Sequence, residues 1–233
     1  MISEIKYKTV SKQLGIDICL LKAVANIESA GSGFLSDGQV KILWEPHVWW
    51  RTLKKYGLNP KELIKKDSSL KSILYEKWGT LPYGKVSEQH PKLQRAVEIH
   101  KESALEAASY GMFQVLGENW KWLGYNSLQD FINTVMKDED SQLDIFCKFI
   151  VRKQLVKHLR EKNIESFCLG YNGKGSKSDL LANFPKPEDE GPWRKATFPI
   201  QDYRVINVDP DNIDMWLWRG KDNRRRRCKP RRR

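Results

Sequence analysis

No run of about 18 apolar residues occurs in the 233-residue chain, so no segment reads as a transmembrane helix. Four cysteines are present, Cys19, Cys147, Cys168 and Cys228, and no two form a C-x-x-C pair. That excludes a zinc ribbon, argues against a disulfide scaffold and fits synthesis in a reducing cytoplasm. There is no H-E-x-x-H motif and no His/Cys spacing suited to ligation, so no metal and no cofactor is implied. No internal repeat is visible. The opening residues, MISEIKY, include an acid and lead into no long apolar core, so they do not read as a secretory signal. Hydrophobic residues at 40% and aromatics at 11% exclude wholesale disorder. A chain of this length buries about 70% of its unfolded surface without staples.

The net charge of +12 is unevenly spread. Arg219 to Arg233 holds ten basic residues and one acid, Asp222, while the other 218 residues hold 31 basic and 28 acidic ones. The body is near neutral and the tail makes the protein basic. From Pro185 onward, Pro187, Pro192, Pro199 and Pro210 interrupt any long helix. The expected partition is a globular body over 1–200, an extension over 201–218 and a disordered Arg-rich tail over 219–233.

Most of the body has helical period, so the expected class is mainly α. Leu20, Leu21, Val24 and Ile27 recur at helical steps after Asp17, a good N-cap, and Gly31 and Gly33 stop that helix. Phe34 to Trp44 reads as a short hairpin, with Asp37-Gly38 as its turn and Val40, Ile42 and Trp44 alternating. Helices are predicted from His47 to Tyr56, after Pro60, over Leu93–Ala107, around Met112–Leu116, over Ser127–Met136 and over Ser141–Lys162. Thr80 to Ser87 reads as loop. A short segment from Ile164 to Leu169 leads into a Gly-rich loop, Tyr171 to Gly175.

Glu28 follows Val24 by four residues and Leu21 by seven, which puts a carboxylate on the apolar face of a helix end. Desolvation there disfavours the ion, and a proton kept near neutral pH is what a general acid needs. The competing reading is a frayed end pointing into water. Asp37, in the predicted turn, and Glu45, on the hairpin's far strand, are rivals for a second carboxylate. Paired carboxylates flanking a glycosidic bond are the usual apparatus of sugar hydrolysis. For Asp37 the plain alternative is an ordinary Asp-Gly turn.

Five blocks in order carry a family resemblance: VANIESAGSGF (24–34), ILWEPHVWW (42–50), PYGKVSEQHPKLQRA (82–96), ASYGMFQVLG (108–117) and LGYNGKG (169–175). Together they resemble the phage-type N-acetylmuramidases of the lysozyme-like superfamily. The resemblance implies a largely helical, α+β domain with a small hairpin beside an active-site cleft. It implies cleavage between N-acetylmuramic acid and N-acetylglucosamine in peptidoglycan, with Glu28 as the catalytic acid. It supplies no equally secure second acid, so Asp37 and Glu45 stay open. It places Ser109, Tyr110 and Gln114 on the cleft floor, where Gln114 can bond N-acetyl groups; the family more often has Trp at Tyr110. It makes Tyr171 and Asn172 sugar contacts, although Asn-Gly alone also favours a turn. The family often has Pro where this chain has Lys174.

Most of the nine Trp residues are expected in the core or at its rim. Trp44, Trp49 and Trp50 are the cleft candidates through their nearness to Glu45; Trp216 and Trp218 suit a surface role. His47 reads as structural, Cys168 as buried, and Asp138-Glu139-Asp140 as a solvated helix start favoured by the helix dipole. The tail suits anionic lipopolysaccharide or phospholipid, with nonspecific nucleic-acid binding or no partner as alternatives. The expectation is a monomeric peptidoglycan hydrolase, made in the bacterial cytoplasm and released to the wall as an endolysin. A lytic transglycosylase and a noncatalytic wall- or nucleic-acid-binding module are the competing readings.

Overall fold

Ser3 and Asp17 open the first two helices of the computed structural model, which describes residues 1–29 and 31–172, the side chains of Ile27, Glu28 and Asn172 excepted. Ser3 Oγ accepts the Lys6 N–H at 3.1 Å and starts α1 (Glu4–Leu14), which Gly15 ends at φ +62°. This helix was not foreseen from the sequence; it buries only Tyr7 and Val10, so its apolar stripe is thin. Asp17 Oδ1 accepts the Cys19 and Leu20 N–H groups at 2.8 and 3.1 Å and starts α2 (Ile18–Ser29). Leu21 and Val24 on α2 are completely buried, as the spacing requires.

The hairpin expected over 34–44 is only partly formed. A single antiparallel bridge, Phe34 to Val40, closes the turn around Asp37 and Gly38. Strand β1 (Ile42–Trp44) pairs instead with β2 (Ala108–Tyr110), in the register Ile42–Tyr110, Leu43–Ser109 and Trp44–Ala108. β2 pairs in turn with β3 (Val115–Leu116), giving an antiparallel three-stranded sheet in the order β1-β2-β3. The helix expected around Met112–Leu116 is therefore a tight turn plus a strand. Gly111 at φ +72° and Gln114 at φ +49° are left-handed and reverse the chain.

Pro46 at the first turn begins α3 (Pro46–Lys55), and Asn59 caps α4 (Pro60–Lys66). The single helix predicted over 93–107 is two, α5 (Gln89–Val97) and α6 (Lys101–Glu106), because His100 leaves helical geometry and its Nδ1 caps Ser103 N–H. α7 (Leu128–Lys137) and α8 (Glu139–Arg152) start at the caps Ser127 and Asp138. The helix predicted to reach Lys162 breaks at Gln154, whose φ is +58°, before α9 (Val156–Arg160). α10 (Ile164–Asn172) carries Tyr171 on a helix rather than in a loop.

One hydrophobic cluster joins these elements. Trp44 and Trp49 form its centre on the β1–α3 side, with ring centroids 5.2 Å apart and edge to face. Both are at most 1% exposed, and their indole N–H groups go to the Ile73 carbonyl and Ser103 Oγ. Neither ring can reach a glycan, which corrects the cleft role expected of them: proximity to Glu45 in sequence put them under the site, where they carry packing. On the far side Phe113 stacks on Phe146 at 4.4 Å. Among the described residues no helix is long and apolar enough to cross a membrane.

Candidate active site

Two side chains of α8 fix the loops on which the predicted site depends. Glu139 accepts the Gly33 N–H at 2.7 Å and the Ser32 hydroxyl at 2.9 Å, and it pairs with the amine of Met1. The acid run at 138–140 is thus no merely solvated helix start: Asp138 is the cap, while Glu139 turns inward and is 5% exposed. One turn on, Gln142 accepts the Met112 N–H at 2.7 Å and donates to the Val135 carbonyl at 2.9 Å. A Cβ on Gly33 would lie 1.9 Å from Gln142 Oε1, and one on Gly111 would lie 2.7 Å from it. Both glycines are there because this amide fills their side-chain space.

The same loops are stitched to the sheet. Lys41 N–H donates to the Gly33 carbonyl at 2.8 Å, and Gly111 N–H donates to the Lys41 carbonyl at 2.7 Å. Glu28 lies in the last turn of α2, so the chain leaving it is tied to the strand that delivers Glu45. The carboxylate of Glu28 and the side chain of Asn172 lie outside the described residues, as do Gly173 to Gly175, the proline-rich segment, Trp216, Trp218 and the basic tail.

Glu45 occupies the N-cap position of α3 but makes no capping bond with its side chain. Its carboxylate, 15% exposed, turns to the loop before α5, where Tyr83 O–H donates to Oε2 at 2.6 Å. Ser109 on β2 also acts to lower the pKa of Glu45, brought near it by the Leu43–Ser109 pairing and by the bond from Glu45 N–H to the Ala107 carbonyl. Burial raises the pKa of Glu45 above the usual carboxylate range; the two hydroxyls and the Arg51 guanidinium pull against it. His47 Nδ1 stands 3.7 Å from Oε2. Burial, and then Arg51, lower the pKa of His47, which keeps it neutral at pH 7. Arg51 itself is paired with Glu118, which sits on the turn before Trp120, and Trp120 donates to fully buried Glu106 at 2.9 Å.

The remaining predicted residues separate into two groups. Ser109 joins Glu45. Asp37 is exposed at the turn tip, its Oδ1 accepting the Gln39 N–H at 3.0 Å as an ordinary Asx turn does. Tyr110 is 3% exposed and donates its hydroxyl to the Leu105 carbonyl at 2.9 Å, so it serves the core. Gln114 holds its own turn through a 2.8 Å bond to the Gly111 carbonyl. Tyr171 stacks on Phe167 and donates to the Phe113 carbonyl at 3.2 Å.

Two residues near Glu45 were not singled out from the sequence. Tyr83 stands in the block PYGKVSEQHPKLQRA with no spacing signal of its own. Trp78, 73% exposed, donates its indole N–H to Tyr83 Oη at 3.1 Å. Their segment, WGTLPYG, has no periodicity to read; its signal is two aromatics set among Gly and Pro. Among the described residues no group of three or more His, Cys, Asp or Glu side chains is placed to hold a metal ion.

Residues 17–182 match the Muramidase family, described as N-acetylmuramidase. The crystal structure of an endolysin from Burkholderia phage AP3 is similar at TM-score 0.66 and 33% identity, over 74% of this chain and 64% of that one. The chain thus spans somewhat under two thirds of that protein's length. No curated protein matches the chain.

Proposed function

The chain belongs to the N-acetylmuramidase family, and on that footing we propose that it hydrolyses the bond between N-acetylmuramic acid and N-acetylglucosamine in peptidoglycan, as a phage or prophage endolysin does. The observation that carries this reading is Glu45: a half-buried carboxylate with a raised pKa, inside the matched span and held by the Tyr83 hydroxyl. Glu28 gives its proton to the glycosidic oxygen as the C1–O bond of the muramic acid breaks. Glu45 takes a proton from the water that attacks C1. The two carboxyls exchange protonation states and reset through solvent. A base whose pKa burial has raised toward neutrality accepts that proton more readily than a fully solvated carboxylate. Asp37, exposed at the turn with its Oδ1 on the Gln39 N–H, is the rival for the second carboxylate.

The substrate is the glycan strand of the wall, no cofactor takes part, and the enzyme works as a monomer. It is made in the cytoplasm and reaches the wall from there. The Arg-rich tail, 219–233, attracts anionic lipid or lipopolysaccharide at the envelope. Digestion of purified peptidoglycan by the wild type and by Glu28→Gln tests the reading. Reducing-end muramic products from the wild type, and a loss of several orders of magnitude in the folded variant, are expected. Anhydromuramic products would instead mark a transglycosylase, and retained lysis by the variant would remove Glu28 from the reaction.

A further inference from the structure

We propose that Trp78 is a stacking platform for one pyranose ring of the glycan, held in register with Glu45 through Tyr83. The inference rests on the hydrolase reading above and adds a substrate contact to it. Trp78 is the most exposed aromatic side chain among the described residues, at 73%, against 40% for Trp122 and 38% for Tyr56. An indole left in water forgoes a large apolar burial, so an exposed one that is also fixed in place calls for a ligand. Trp78 is fixed at its edge: its N–H is spent on Tyr83 Oη at 3.1 Å. Tyr83 cannot swing away, because its own O–H is committed to Glu45 Oε2 at 2.6 Å.

The backbone beneath is equally constrained. The Tyr83 carbonyl accepts from Gln89 Nε2 at 2.9 Å and from Lys92 Nζ at 2.7 Å, and Gln89 Oε1 accepts the Trp44 N–H at 2.9 Å. Gly84 is left-handed at φ +80°, and a Cβ there would meet Glu88 Oε2 at 2.1 Å. Tyr75 O–H closes the loop on the Leu81 carbonyl at 3.2 Å. A preorganised aromatic surface with its polar edge satisfied and its body open suits the C–H face of a sugar, as a flat apolar partner does. Two consecutive hydrogen bonds separate the indole from the carboxylate, roughly the width of one sugar ring. A sugar on Trp78 therefore lies beside the unit on which Glu45 acts.

The test compares the full-length wild type with Trp78→Ala and Trp78→Phe. Binding of a soluble N-acetylglucosamine oligomer is measured by calorimetry, and KM and kcat are measured on solubilised peptidoglycan. Trp78→Ala should weaken oligomer binding and raise KM by about tenfold while kcat changes by less than about threefold. Trp78→Phe, which keeps a ring, should recover most of the loss. Circular dichroism confirms folding, and Trp78→Leu, which keeps apolar bulk without a ring, takes the Ala variant's place should that one fold poorly. Unchanged oligomer binding and KM in Trp78→Ala or Trp78→Leu, with the fold intact, overturns the platform. Failure of the wild type to cut peptidoglycan would instead sink the hydrolase reading, and oligomer binding would still report on Trp78.

Discussion

Tyr83 donates its hydroxyl to Glu45 Oε2 at 2.6 Å across 38 residues of sequence, and that bond opposes the effect of burial on this carboxylate. Burial pushes the pKa of Glu45 up, while Tyr83, Ser109 and Arg51 hold it down. Removing one brace leaves burial less opposed. Tyr83→Phe should therefore move the acid limb of the kcat–pH profile to higher pH, with activity at alkaline pH nearly kept. An unmoved limb would separate Glu45 from that ionisation.

Glu45→Gln should cut kcat by about 10²- to 10⁴-fold, the usual worth of a general base. It should also stabilise the protein at pH 7. With its pKa raised on folding, Glu45 binds more protons in the native state than in the unfolded one, so its ionisation costs stability as pH rises above the ordinary carboxylate range. A neutral amide removes that cost. Thermal melts of both proteins should show a higher Tm for the variant at pH 7, and the gain should fade as pH falls below that range.

Glu139→Ala should destabilise by about 1–3 kcal/mol, since it leaves the buried Gly33 N–H and the Ser32 hydroxyl without their acceptor. The loop after Glu28 loses its tether in the same step, so kcat should fall more than the folded fraction does. Urea titration and activity on the same sample check both.

Gly33→Ala should cost about 1–3 kcal/mol through collision with Gln142. Adding Gln142→Ala should recover part of that loss despite being destabilising by itself. A double-mutant cycle in urea measures the coupling, and strict additivity would refute the shared-space account.

Local chemistry made much of the fold readable. Asp17, Pro46 and Ser127 sit at helix starts because caps and N1 proline act within a few residues. Long-range pairing was out of reach: β1 reads as half of a local hairpin, yet its partner is β2, after α6. Gln114 reads as helical, but its left-handed backbone turns the chain back toward β3. At the site, Glu45 and Ser109 were both candidates in the sequence, but their contact depends on that strand pairing. Glu139 looked like a solvated charge because no sequence pattern shows that the Gly33 N–H waits for it. Trp78 and Tyr83 lie in an aperiodic loop, where spacing carries no information.

Because one amide on α8 occupies the volume beside both Gly33 and Gly111, the loop after α2 and the turn after β2 are pinned to one side chain. Neither can drift, lengthen or acquire a side chain without the other. The exposed ring of Trp78 is under no such packing restraint: its one tie to the structure beneath is the bond from its indole N–H to Tyr83 Oη.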